Sequence, residues 1–184
     1  MIQFESLLEL DFIYLLEFDP TVTWFAEQPL EIPYEFEGKI HHYVPDFHII
    51  RDGHDWLIEC KPKKFAESDE TRRKAAAAST WCDENGWIFC IVTEDEIRSG
   101  NRLQNVKFLL NYARFTVHSE DRTRIYTALH QVGSPITITE LTHKLESTDQ
   151  QTTLITLYHM AFRHEIEISV DGAPISTSST VSLH

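Results

Sequence analysis

Asp46, Glu59 and Lys61 are the residues whose types and spacing point most directly to chemistry. Pro45-Asp46 is followed thirteen residues later by Glu59-Cys60-Lys61, and the stretch between them carries Arg51-Asp52-Gly53, a hairpin signal in which Gly supplies the positive φ. Side chains alternate faces along a strand, so Glu59 and Lys61 project together while Trp56, Ile58 and Cys60 point to the other, packed face. A turn near residues 51–54 returns Asp46 to their side. Two converging carboxylates make a hard-oxygen site suited to Mg²⁺, which keeps several waters and takes one or two protein carboxylates plus substrate phosphate oxygens. The backbone carbonyl of Cys60 is a further ligand candidate whatever its side chain does. A lysine beside such a metal can orient or help deprotonate the attacking water and stabilise negative charge in the transition state. Together these groups describe phosphodiester hydrolysis. The rival reading makes Asp46 a turn acid and Glu59 and Lys61 a solvated cross-strand group.

The elements that must position these residues follow from periodicity and punctuation. Apolar residues recur at threes and fours over residues 4–16, an amphipathic helix ended by Asp19-Pro20. Residues 22–25 and 30–36 read as edge strands punctuated by Pro29 and Pro33, and Gly38 closes that section. Residues 40–50 and 56–61 form the central hairpin. A helix over 66–85 has acids at its start and Asn85-Gly86 as its stop, followed by a buried strand at 87–92 and a helix at 101–112. The pattern changes near residues 115–119, which sets the expected division: domain 1–114 and domain 115–184. The second part reads as helices at 121–131, 139–145 and 149–163, then strands at 165–170 and 173–181 around Asp171-Gly172, a two-residue hairpin turn. Three helices and a β-hairpin predict a winged helix.

An Asp followed by Glu-x-Lys on adjacent strands resembles the PD-(D/E)xK signature of restriction-endonuclease-like nucleases, and the helix, hairpin, helix, strand order resembles their fold. Such nucleases often take another acid from a preceding helix, and Glu9 is the candidate here. The sequence more particularly resembles the TnsA endonuclease subunits of heteromeric cut-and-paste transposases. The matching stretches are Glu5-Ser6-Leu7-Leu8-Glu9, Leu16-Glu17-Phe18-Asp19-Pro20, Glu27-Gln28-Pro29, Tyr43-Val44-Pro45-Asp46-Phe47 and Glu59-Cys60-Lys61-Pro62. The resemblance implies an α/β architecture, a restriction-endonuclease-like mixed sheet flanked by helices, followed by a small winged-helix domain. By motif it puts the Mg²⁺ site on Glu9, Asp46, Glu59 and Lys61, with Mn²⁺ an expected substitute. It implies nicking at the 5′ ends of transposon DNA, a TnsB-like transposase that cuts and joins the 3′ ends, and a TnsC-like ATPase bound by the C-terminal domain. Two alternatives stand beside it: a stand-alone restriction or repair endonuclease of the same fold, and a non-catalytic adaptor of a transposition complex.

Composition narrows the partners. The chain has 184 residues, 42% hydrophobic and 24% charged, as a globular protein does, and it lacks the long apolar run a membrane span requires. Glu5 and Glu9 stand where a secretory leader is basic, and the odd number of cysteines, Cys60, Cys82 and Cys90, suits a reducing, cytoplasmic setting. The formal charge of −13 argues against tight autonomous DNA binding, because phosphate affinity comes from Lys and Arg. The charge is uneven: residues 1–60 are net −11, 61–114 net +2 and 115–184 net −4. Lys61, Lys63, Lys64, Arg72, Arg73 and Lys74 could follow a phosphate backbone or form a solvated helix face among Glu67, Asp69 and Glu70. The helix over 149–163 offers Arg163 and His159 but no basic face, which suits a protein partner better than DNA. His41, His42 and His48 are left outside the site, and Trp24, Trp56 and Trp87 are expected in the core.

Overall fold

The computed structural model describes residues 6–145 and 149–184, which pack as two compact units, Met1–Ser99 and Gly100–His184. The expected helix start at Phe4 lies outside the described residues. Within them, Ser6 caps helix α1 (Leu7–Phe18) by accepting the Glu9 amide at 3.2 Å, and the helix stops at Asp19 before Pro20. Strands β1 (Val22–Glu27), β2 (Ile32–Phe36), β3 (Lys39–Tyr43), β4 (Phe47–Arg51) and β5 (His54–Cys60) follow. After a single helical turn, α2 (Lys63–Ala66), Ser68 caps the long helix α3 (Asp69–Asn85), which ends at Gly86 with φ 71°. Strand β6 (Ile88–Val92) and the short helix α4 (Glu94–Ile97) complete the unit.

The main sheet has the order β1-β4-β5-β6. Strands β4 and β5 are antiparallel, joined through Asp52 and Gly53 at φ 50° and 75°, the paired positive angles of a tight hairpin. Strand β6 lies parallel to β5, a pairing that needs a crossover, and α2 and α3 supply it. Each face is covered. On one, Leu8, Phe12, Ile13 and Leu16 of α1 pack on Phe47, Ile49, Ile58 and Cys60. On the other, Ala78 and Cys82 of α3 pack with Ile32, Tyr43 and Leu57. Burial on both faces explains why β5 reads Trp-Leu-Ile with no polar alternation until Glu59.

The sequence reads residues 40–50 as one strand, but the chain divides there. Pro45 has no amide to give a ladder, and the Val44-Pro45-Asp46 link separates β3 from β4. Strand β3 pairs instead with β2 as a separate two-stranded sheet, Ile32 opposite Tyr43, closed by Glu37 and Gly38 at φ 51° and 70°. Gly38 is therefore a hairpin turn rather than the end of a section.

The second unit holds α5 (Arg102–Leu110), α6 (Ser119–Val132), β7 (Ile136–Thr137), α7 (Ile138–Lys144), α8 (Gln150–Phe162), β8 (Glu167–Ile168) and β9 (Thr180–Ser182), with the sheet order β7-β9-β8. Helix α5, expected before a boundary near residue 115, packs on α8 in this unit. The expected tight hairpin at Asp171-Gly172 is not formed: β8 and β9 pair Glu167 with Ser182 and Ile168 with Val181, leaving residues 169–179 as a long connection. Buried Asn105 accounts for this, because its Nδ2 donates to the carbonyls of Val170 and Ala173 and its Oδ1 accepts the Ile175 amide. These bonds hold the connection open against the local turn preference.

Candidate active site

Strand register builds the site. Phe47 lies opposite Ile58, so the next residues outward, Asp46 and Glu59, meet at one end of the β4–β5 pair. Asp46 is tied on two sides: its carbonyl accepts the Gln28 amide at 2.9 Å after β1, and its Oδ2 accepts the Cys60 amide at 2.7 Å. The Lys61 amide donates to the Val92 carbonyl at 2.9 Å, which holds the lysine backbone against β6. From there Lys61 Nζ donates to Glu59 Oε1 at 2.7 Å. Glu59 is 4% exposed, and its other oxygen, Oε2, accepts the Tyr43 hydroxyl at 2.6 Å. The structure thus sets Asp46 on the Cys60 amide and Lys61 on Glu59, side by side at the ends of the two strands. Glu9, in the first turn of α1, reaches them through its field, which acts on both Asp46 and Cys60.

The electrostatics are those of crowded acids. Burial raises the Asp46 carboxyl to about 7; the Glu59 and Glu9 charges add to the rise, while the Cys60 amide and Lys61 oppose it. Burial alone pushes Lys61 downward, but its hydrogen bond to Glu59 and the charges of Glu59, Asp46 and Glu70 outweigh this, so it is held above the ordinary lysine value. An ammonium so held is a charge and a donor at neutral pH, which narrows its expected roles away from taking a proton. Burial and then the neighbouring carboxylates push the Cys60 thiol up, and it packs on the α1 side of the sheet, in keeping with an inert side chain.

Among the described residues no three His, Cys, Asp or Glu side chains form a ready cage for a metal ion. The donor set is two adjoining carboxylates, a third acid within electrostatic reach and a backbone carbonyl. That set fits Mg²⁺, which binds through one or two carboxylates and keeps its waters. The raised Asp46 acid fits as well, because a cation relieves the repulsion that raises it.

Other candidates fall elsewhere. His48 Nε2 bonds Asp55 Oδ1 at 2.7 Å and its ring stacks on Trp87 at 4.1 Å. His42 pairs with Glu31, and His41 stacks on Tyr34. Trp56 and Trp87 pack against the two cores as expected, whereas Trp24 is 47% exposed, edge-on to His48, because it sits on edge strand β1. The basic run is largely matched by its own acids: Lys63 with Asp95, Arg72 with Glu67 and Lys74 with Glu70, while the Arg73 guanidinium lies 4.0 Å over the Phe36 ring. That pattern favours a solvated helix face. Sequence reasoning missed the hydroxyl of Tyr43 as a partner of Glu59. The only signal available was its place three residues before Asp46.

Residues 19–94 match the family described as TnsA-like endonuclease N terminal, a span that includes Asp46, Glu59 and Lys61 and leaves Glu9 outside. No curated protein matches the chain. No helix of the described residues is long and apolar enough to cross a membrane. The sheet that joins Asp46, Glu59 and Lys61 therefore lies within the stretch that is similar to a TnsA-like endonuclease N-terminal domain.

Proposed function

We propose that this chain is the DNA-cleaving subunit of a transposase, hydrolysing phosphodiester bonds at the 5′ ends of transposon DNA in a Mg²⁺-dependent reaction. The observation that carries the reading is the Asp46, Glu59 and Lys61 group at the ends of adjacent strands, with Asp46 held by the Cys60 amide and Glu59 by Lys61, inside a stretch similar to a TnsA-like endonuclease domain. Asp46, Glu59 and the Cys60 carbonyl would hold the metal, with Glu9 adding negative field. When bound, Mg²⁺ supplies a Lewis acid for the phosphoryl oxygen and a lowered pKa for its water. Lys61 keeps its proton on Nζ and offers charge and hydrogen bonds to the reacting phosphate and the attacking water. The Cys60 amide fixes the Asp46 carboxylate and the Val92 carbonyl fixes the Lys61 backbone, so the reacting groups are oriented before substrate arrives.

The order of elements in the second unit, α6-β7-α7-α8-β8-β9, supports a winged-helix reading. Helix α8 is buried through most of its second half and bears only His159 in its last turn. With no Lys or Arg along it, the helix lacks a basic face for DNA, so we assign the second unit to docking the TnsC-like ATPase, with a TnsB-like transposase acting at the 3′ ends. With a formal charge of −13, the chain relies on such partners for its place on DNA.

The test is nicking of supercoiled plasmid bearing transposon ends, with Mg²⁺ or Mn²⁺, by the chain alone and with its partner transposase and ATPase. Nicked circles from wild type and none from Asp46→Asn are expected. Equal nicking by both, or none with every partner present, contradicts the proposal. Full activity without partners would favour the stand-alone endonuclease instead.

A further inference from the structure

We infer that Tyr43 is a positioning residue for Glu59: its hydroxyl, 2.6 Å from Oε2, fixes the orientation in which the buried carboxylate meets a divalent cation. The inference rests on the metal-site reading above and adds to it an element outside the main sheet. Tyr43 ends β3, on the separate β2–β3 hairpin, and Glu59 lies on β5, so the bond joins two sheets that share no ladder.

First, neither partner can wander. Tyr43 and Glu59 are each 4% exposed, and Tyr43 packs among Ile32, Leu57 and Cys82. Second, the hydroxyl is a dependable donor. A phenol keeps its proton at neutral pH, and a carboxylate oxygen at 2.6 Å can only accept it, so the tyrosine oxygen is the donor. Third, the two oxygens of Glu59 are differentiated. Oε2 faces a neutral phenol, whereas Oε1 faces the Lys61 ammonium. A carboxylate held at one oxygen by a fixed neutral donor cannot rotate to trade its oxygens. Partners of this kind, one bond removed from a metal, typically set affinity by about 10–100-fold.

The experiment is a calorimetric titration of Mn²⁺ into the full chain as wild type, Tyr43→Phe, Ile32→Val and Asp46→Asn, with a melting curve for each. Phe keeps the ring in its apolar pocket and removes only the hydroxyl. Ile32→Val loosens the strand opposite Tyr43 and leaves the hydroxyl in place. The expected result is Mn²⁺ affinity about 10–100-fold lower for Tyr43→Phe, with a melting temperature about 2–6 °C lower because a buried carboxylate oxygen loses its donor. Ile32→Val is expected to melt about 2–6 °C lower and bind Mn²⁺ as wild type does. Wild-type affinity in Tyr43→Phe overturns the inference. So does affinity that falls in step with melting temperature across the Tyr43 and Ile32 variants, since a merely structural role moves both together. Mn²⁺ heat absent from wild type, or unchanged in Asp46→Asn, is a different failure: it removes the metal site itself, and the inference falls with it.

Discussion

Asn105 in the second unit and the Asp46–Glu59 pair in the first are both polar groups in apolar surroundings, yet they are settled in opposite ways. Asn105, 1% exposed, gives two hydrogen bonds and accepts one, all to backbone groups. Its needs and those of the connection around it are met within the fold. Asp46 and Glu59 bring negative charge to one spot, with the Lys61 ammonium as their cationic partner and the field of Glu9 added. Such crowding costs stability unless something positive arrives. The contrast separates a polar residue kept for architecture from one kept for a ligand.

Four substitutions test that contrast. The largest effect belongs to catalysis: Lys61→Ala is expected to lower DNA nicking by about 10²–10³-fold, measured by plasmid nicking, and to lower the melting temperature of the metal-free protein, because buried Glu59 loses its cationic partner. Next, Asn105→Ala leaves backbone groups of the 170–175 connection unmatched. It should cost about 2–3 kcal/mol in urea denaturation, with Mn²⁺ binding unaltered.

Third comes Asp46→Asn in the metal-free protein, where the sign is the reverse of the usual carboxylate. The folded carboxyl titrates at about 7 against an ordinary 3.8. Below about 3 both folded and unfolded chains hold the proton and the group contributes nothing. As pH rises toward 7 the unfolded chain ionises first, so the wild type loses stability, and above 7 the full penalty is present. Asp46→Asn should therefore be more stable than wild type by about 1–2 kcal/mol at pH 8, with the difference vanishing toward pH 3. Denaturation at the two pH values measures it, and Mg²⁺ should erase the difference at pH 8. The smallest effect is expected from Lys74→Ala, which removes an exposed pair with Glu70. It should alter stability by about 0.5 kcal/mol or less and leave nicking within twofold, as a solvated helix face requires.

The carboxylates and lysine were legible in the sequence because strand alternation and one hairpin turn suffice to place them. Glu59 and Lys61 share a face by parity, and Asp52-Gly53 fixes the register that returns Asp46. Tyr43 was hidden by the same logic. Reading 40–50 as one strand puts Tyr43 in the main sheet, whereas Pro45 breaks the ladder and sends it to a second sheet, from which its hydroxyl reaches Glu59. The Asp171-Gly172 turn failed for a nonlocal reason: Asn105, far away in sequence, holds the carbonyls and amide that a tight turn would have used. Helix 102–110 looked like the end of the first domain because its own pattern carries no mark of what it packs on. Local chemistry fixes turns and faces, and distant side chains decide which of them survive.

The most direct test of the central claim is calorimetric titration of Mg²⁺ into the purified full chain and into Asp46→Asn, since it needs neither the right DNA nor the right partner. Binding heat in the wild type that disappears in Asp46→Asn is the predicted result. Equal heats in the two proteins, or none in either with DNA ends present, would contradict a metal site at the end of β4 and β5.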